Sequence, residues 1–264
     1  YVDYHSNKWQ LVLGRQRINW GKNLVWNPND LFNAYSFFDF DYEERPGTDA
    51  LRAKYFTSGN SSFEFAINYT DEWKNNTVAI KYNFNKFQYD FQMIVAKYLE
   101  NYTLGLGWEG VIKDMGFKGE LSYFMPYGNS IEDNAFVGSI SFDYYFKNDI
   151  SLNVSTLYNS DGISNTNAYD TSQLYSESID VKHLMPNKWS FFGQASKTFT
   201  PAIAGSMASI YAADIDMVFF MPQFTYSISQ NWDFDVTGQL YYGKQEEQFS
   251  NLGNCVYLRF RYSF

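Results

Sequence analysis

Hydrophobic and polar residues alternate along most of this chain. Thr77–Phe84 sets Val78, Ile80, Tyr82 and Phe84 against Thr77, Ala79, Lys81 and Asn83. Phe87–Val95 places Phe87, Tyr89, Phe91, Met93 and Val95 on one side, with Gln88, Asp90 and Gln92 on the other. Ala135–Phe146, Asn231–Tyr242 and the final Val256–Phe264 repeat the pattern. Successive side chains of a strand point to opposite faces, so each stretch reads as a strand with one apolar and one polar face. The pattern predicts about 14 strands. They fall near 8–17, 49–57, 62–71, 77–84, 87–98, 102–111, 117–125, 135–146, 150–159, 175–184, 189–198, 214–228, 231–242 and 254–264. No long stretch has helical periodicity, and no motif recurs at the spacing of a propeller or solenoid.

The connections alternate in length. One set is tight, as at Ser58–Ser61, Asn85–Lys86, Lys113–Gly116, Lys147–Asp149, Met185–Lys188 and Ser229–Gln230. The other is mostly longer, at Ile18–Thr48, Pro126–Asn134, Ser160–Leu174, Phe199–Ala213 and Gly243–Gly253. Outer-membrane barrels have short periplasmic turns and longer external loops, so this phase predicts an up-and-down arrangement with the C-terminus on the short-turn side.

Alternation alone does not separate a membrane barrel from a soluble sandwich, whose strands also have one apolar face. Composition and length do. The predicted strands are near the roughly 9–11 residues that cross a bilayer at a tilt. Aromatics are 21% of the 264 residues, enough to crowd strand ends such as Tyr69, Trp73, Tyr102, Trp108, Trp189 and Trp232, as interfacial girdles require. The polar faces carry Arg52, Lys54, Lys81, Lys118, Lys182, Arg259 and Arg261, with Glu64, Asp90, Glu109, Glu120, Asp143, Asp180, Asp233 and Asp235. That many charges suit a water-filled lumen and not a dry core. The expectation is an all-β protein of one domain, 1–264: a transmembrane antiparallel up-and-down β-barrel. Tyr1–His5 reads as the tail of an earlier strand, turned through Ser6–Asn7. An N-terminal portion then precedes Tyr1, and the intact barrel has about 16 strands, with about 14 or 18 as alternatives.

Ile18–Thr48 is unlike a solvated loop. It holds Trp20, Leu24, Val25, Trp26, Leu31, Phe32, Tyr35, Phe37, Phe38 and Phe40, and so much apolar surface needs shelter. The nearest shelter is the lumen, so 18–48 is expected to fold inward as a constriction loop. Asn27-Pro28-Asn29-Asp30 predicts a tight turn, with Asp30 placed to cap a short helical turn. Strict alternation from Leu11 and Leu13 turns Arg15 and Arg17 toward lipid; a bulge near Gly14 would turn them inward. The candidate pore-lining set is Arg15, Arg17, Trp20, Trp26, Asp30, Arg45, Arg52, Lys54, Arg259 and Arg261. An alternative for Arg15 and Arg17 is structural, pairing with acids of the loop.

Two features carry a resemblance. The chain ends in Phe264 with Tyr262, Phe260 and Leu258 at alternate positions, which resembles the C-terminal signature of bacterial outer-membrane barrels. Gly14-Arg15-Gln16-Arg17, Trp20-Gly21, Asn27-Pro28 with Asp30, and Arg45-Pro46-Gly47 resemble a signature of Gram-negative porin-like outer-membrane proteins. The resemblance implies a barrel channel more strongly than any particular solute.

Other chemistry is sparse. Net charge is −9 without a basic block, which argues against nucleic-acid partners. Cys255 is the only cysteine and allows no internal disulfide. His5 and His183 are the two histidines. The first is placed in an edge strand and the second near a short turn, so neither stands where an external catalytic site would be built. No phosphate loop or Cys/His metal spacing occurs, and Asp39–Glu44 lacks EF-hand spacing. No enzyme activity, cofactor or metal is expected. The expected function is passive diffusion of small hydrophilic solutes, with outer-membrane lipid around the wall. Homo-oligomers or other outer-membrane proteins are candidate partners. The alternative is a scaffold barrel with a plugged lumen inside a larger complex.

Overall fold

The alternating segments form one sheet. The computed structural model describes residues 1–35, 47–57, 59–128, 133–164, 180–245 and 248–263. The strands are β1 (Val2–His5), β2 (Trp9–Gln16), β3 (Thr48–Phe56), β4 (Ser62–Asn68) and β5 (Thr77–Lys86). Then come β6 (Tyr89–Tyr98), β7 (Asn101–Ile112), β8 (Met115–Pro126), β9 (Ala135–Tyr145) and β10 (Ile150–Asn159). The last are β11 (Trp189–Thr200), β12 (Ile203–Ala212), β13 (Met217–Ser229), β14 (Trp232–Gln245) and β15 (Gln248–Tyr262). They lie in sequence order in one 15-stranded antiparallel sheet. Because each strand opposes the next, β1 and β15 run the same way. Among the described residues no ladder joins them.

Two expectations about strands are corrected. Residues 180–184 of the stretch expected at 175–184 are not a strand, and 175–179 lie outside the described residues. Instead Ile203–Ala212, expected within a long loop, is a strand paired with both neighbours. The tight turn expected at Met185–Lys188 thus belongs to the long connection after β10, and the true tight turn is Pro201–Ala202. The alternation of Val181 with Asp180 and Lys182 imitated a strand, while the many Ala, Ser and Gly residues of β12 muted its own period.

Exposure follows the parity of each strand. Val95 (63%), Leu104 (49%) and Leu258 (64%) are exposed, while Glu64 (2%), Lys81 (7%) and Glu120 (0%) are buried. A sheet with its aliphatics outside and its charges inside is inverted relative to a soluble protein, and lipid is the surrounding that suits it. Near the short-turn end the outer face carries close aromatic pairs between neighbouring strands. Phe63 lies 4.5 Å from Tyr82, Phe117 lies 5.1 Å from Phe142, and Phe234 lies 4.6 Å from Phe260. At the other end Tyr69, Trp73, Tyr102 and Trp189 are exposed. Two belts of aromatic rings match the two interfaces of a bilayer.

The sheet is strongly curved. Residues 22, 23 and 29 share the Glu120 carboxylate, so this segment is compact. Yet the same segment reaches Glu64 on β4 and Phe192 on β11. Seven strand steps would separate those by about 34 Å in a flat sheet. The wall therefore wraps around the segment.

Candidate functional site: the lumen and its inserted segments

The inner wall is a set of compensated charges. The Glu64 carboxylate accepts from Arg52 Nε at 2.9 Å and lies 3.5 Å from Lys81 Nζ. Cross-strand register brings these three to one face, with Lys54 opposite Glu64 and Glu64 opposite Lys81. On β7 to β9, Lys118 lies 3.2 Å from Glu109 and 3.6 Å from Asp143. Arg259 lies 3.0 Å from Asp235, and Arg261 lies 3.6 Å from Asp233. Thr225 and Ser227 hydroxyls donate to the same two aspartates at 2.8 and 2.7 Å.

Residues 18–35 lie against this wall. The Trp20 indole N–H donates to Glu64 Oε1 at 2.8 Å, and Lys81 Nζ sits 4.6 Å from the ring centre. Gln92 donates to the Trp20 carbonyl at 3.0 Å. Glu120 accepts the backbone N–H groups of Lys22, Asn23 and Asn29, the last at 2.9 Å. Ser122 donates to the Pro28 carbonyl at 3.0 Å, and Ser139 to the Trp26 carbonyl at 2.9 Å. Asn29 reaches the wall itself, donating to the Leu106 carbonyl at 2.8 Å. That approach needs Gly105, where a Cβ would stand 2.6 Å from Asn29 Oδ1. The segment thus meets side chains of β4 through β9, and the Trp26 ring lies edge-on to Phe192 of β11 at 6.3 Å. A buried loop backbone must find partners, and here wall side chains supply them.

Asp30 does not cap a helix. Residues 28–32 form turns, and Asp30 Oδ1 accepts from the backbone N–H of Trp20 at 3.1 Å. Asn33 does the same for Ile18 at 2.8 Å. These two bonds tie the two ends of the segment together.

A second segment was not foreseen. Between β10 and β11, Val181, Leu184 and Met185 are buried in the same apolar cluster as Trp20, Trp26 and Phe192. The Tyr98 hydroxyl of β6 meets the backbone of Val181. Asn159 donates to the Lys182 carbonyl at 2.9 Å, and Ile163 bridges Asn187 in parallel. His183 lies between two carboxylates, 3.5 Å from Asp180 and 3.4 Å from Asp161. It therefore sits on the long connection rather than near a short turn, which corrects its expected place. The Asp180 hydrogen bond and charge outweigh partial burial and raise the His183 pKa above its ordinary 6.5. Burial pushes the Asp180 carboxyl up, but the imidazole and two backbone N–H groups hold it below the usual range.

The candidate lining residues divide into groups. Trp20, Trp26 and Asp30 come together in the inserted segment, and Arg52, Lys54, Arg259 and Arg261 stand on the inner parity of their strands. Arg15 does not join them. The register of β2 against β3 runs unbroken through Gly14 despite its φ of 111°. With no bulge to change parity, Arg15 stays on the outer side with Leu11 and Leu13, bonded to Asp49 at 2.8 and 3.1 Å. Arg17, just past β2, is likewise exposed. Arg45 and Asp39–Glu44 lie outside the described residues. Among the described residues no group of His, Cys, Asp or Glu is arranged to hold a metal ion.

No protein-family model and no curated protein matches the sequence. Solved structures do match the fold. Acinetobacter baumannii OccAB4 aligns with a TM-score of 0.64 at 10% identity, over 98% of this chain and 73% of that one. Pseudomonas aeruginosa OccK11 (OpdR) aligns at 0.59 with 9% identity, over 97% and 78%. The outer membrane channel DcaP of Acinetobacter baumannii aligns at 0.50 with 9% identity, over the full length of both chains. The fold is thus that of outer-membrane β-barrels.

Proposed function

We propose that this chain is the wall of a porin-like channel in a Gram-negative outer membrane, through which small hydrophilic solutes diffuse passively. Segment 18–48 acts as its constriction, with Trp20, Trp26 and Asp30 in the narrowing. Arg52, Lys54, Arg259 and Arg261 line the wall on either side. The observation that carries this reading is the inverted sheet: apolar side chains outside, charges inside, and a loop bound to the inner wall. The likeness to the channel DcaP supports it. The wall charges are compensated within short distances, so fixed-charge selectivity between anions and cations is weak.

Single-channel recording in planar bilayers tests the proposal. Purified protein is expected to give discrete conductance steps in KCl with a reversal potential close to zero across a salt gradient. Failure to conduct in any lipid would overturn it. A plugged scaffold barrel is the second reading, favoured by the burial of Trp20 and Trp26. Outward glycines divide on that reading. A Cβ at Gly119 would meet the Trp108 ring and one at Gly138 would meet Leu121, so those gaps are filled within the chain, whereas a Cβ at Gly193 would meet open space.

A further inference from the structure

The lumen wall is chemically divided. Charged residues face inward on β3, β4, β5, β7, β8 and β9, and again on β14 and β15. Between these sectors, the inward positions of β10 to β13 carry no charge among the described residues. They are Ser, Thr, Asn and Gln toward the short-turn end, and Phe192, Ile210, Phe219 and Met217 toward the long-loop end. Register aligns one polar row across this sector. Ser151 pairs with Ser196, Ser196 with Ser206, Ser206 with Gln223, and Gln223 with Thr237 of β14. A trough of about 170 Å³ opens along Ser151, Ser196, Ser206 and Gln223. Two charged residues also line the trough at its short-turn end: Asp149, which accepts from Tyr145 at 3.0 Å, and Lys197, whose Nζ lies 5.7 Å from the Phe199 ring centre.

These groups are also unspent. Other lumen serine hydroxyls are taken up by protein partners, Ser122 and Ser139 by the inserted segment and Ser141 by Ser155. Those of Ser151, Ser196 and Ser206, and the Gln223 amide, bond to no other described protein group. Hydroxyl and amide groups both donate and accept. They can exchange hydrogen bonds one for one with a neutral polyol, whereas the inward strand positions themselves offer an ion no counter-charge for the hydration it loses.

We infer that the β10–β13 sector is a binding track for neutral polyhydroxylated solutes of the saccharide class, centred on Ser196, Ser206 and Gln223. This deepens the channel reading and rests on it. The test adds sucrose, and separately potassium gluconate, to the full chain conducting KCl in a planar bilayer. Sucrose is expected to give concentration-dependent current interruptions that gluconate does not. A Ser196→Ala, Ser206→Ala, Gln223→Leu variant should keep KCl conductance within about twofold. It should bind sucrose about tenfold more weakly, as loss of one or two neutral hydrogen bonds dictates. Conductance without sucrose interruptions, interruptions unchanged in the variant, or stronger block by gluconate would each overturn the track. Absence of KCl conductance would count against the channel itself. Saturation-transfer NMR of sucrose on the detergent-solubilised protein then reads the site alone, and equal signals from wild type and variant would overturn it.

Discussion

Glu120 shows how one side chain settles the position of a loop. It is fully buried, and its two oxygens take three backbone N–H groups from residues 22, 23 and 29. Replacing it with alanine strands those donors away from water, where each costs about 1–3 kcal/mol, only partly recovered by relaxation. Glu120→Ala is expected to lower stability by about 2–4 kcal/mol and to expose Lys22 to trypsin. Glu120→Gln, which keeps an acceptor oxygen, should lose less. Urea unfolding in lipid vesicles measures the first effect and limited proteolysis the second; unchanged values in Glu120→Ala would refute the anchor. The sequence shows that Glu120 lies on the polar parity of its strand. It does not show that this carboxylate, among many inward ones, receives the loop, because its donors are main-chain groups and leave no residue-type signature. Arg15 teaches the converse. Parity alone put it outside, and the structure keeps it there, because Gly14 absorbs a positive φ without shifting the register.

At the scale of elements, the connection between β10 and β11 behaves as a clamped segment. Asp161 stands near its start, Asp180 and His183 near its end, and the imidazole spans them. Lys182 Nζ also approaches Asp161, at 3.8 Å. The histidine pKa is raised in the folded state, so the charged clamp contributes fully below the unfolded value near 6.5. It is lost as pH rises through the higher folded value. Hydrogen-exchange protection of residues 180–188, taken relative to the intrinsic base-catalysed rate at each pH, is therefore expected to fall as pH rises above the unfolded histidine value, and to lose this pH dependence in His183→Ala. Protection that does not change with pH in the wild type would contradict the clamp. This element was illegible in the sequence for a physical reason. A few residues of alternating Val, Asp and Lys fit a strand and an irregular buried segment equally well, and only long-range partners such as Tyr98 decide between them. By contrast, β12 was hidden by its own composition, since alternating Ser, Ala and Gly give little contrast between faces.

For the whole molecule, period two did most of the work. Strands with Phe, Leu and Val on one parity can be satisfied by a soluble core or by lipid, and belts of aromatics with charges on the other parity favour lipid. The structure agrees: the outer face is apolar and exposed, while the inner face is polar and enclosed. What the pattern withheld was the interior, because inserted segments are irregular and contact many strands at once. The transport reading depends on which face meets hydrocarbon, and spin labels on β14 test that most directly. In a Cys255→Ser background, Val236→Cys, Thr237→Cys, Gln239→Cys and Leu240→Cys are labelled in turn and the protein is reconstituted in vesicles. Labels replacing Val236 and Leu240 should be relaxed by oxygen dissolved in lipid, and those replacing Thr237 and Gln239 should be shielded from it. Oxygen relaxation strongest at Thr237 and Gln239, with Val236 and Leu240 shielded, would contradict the account.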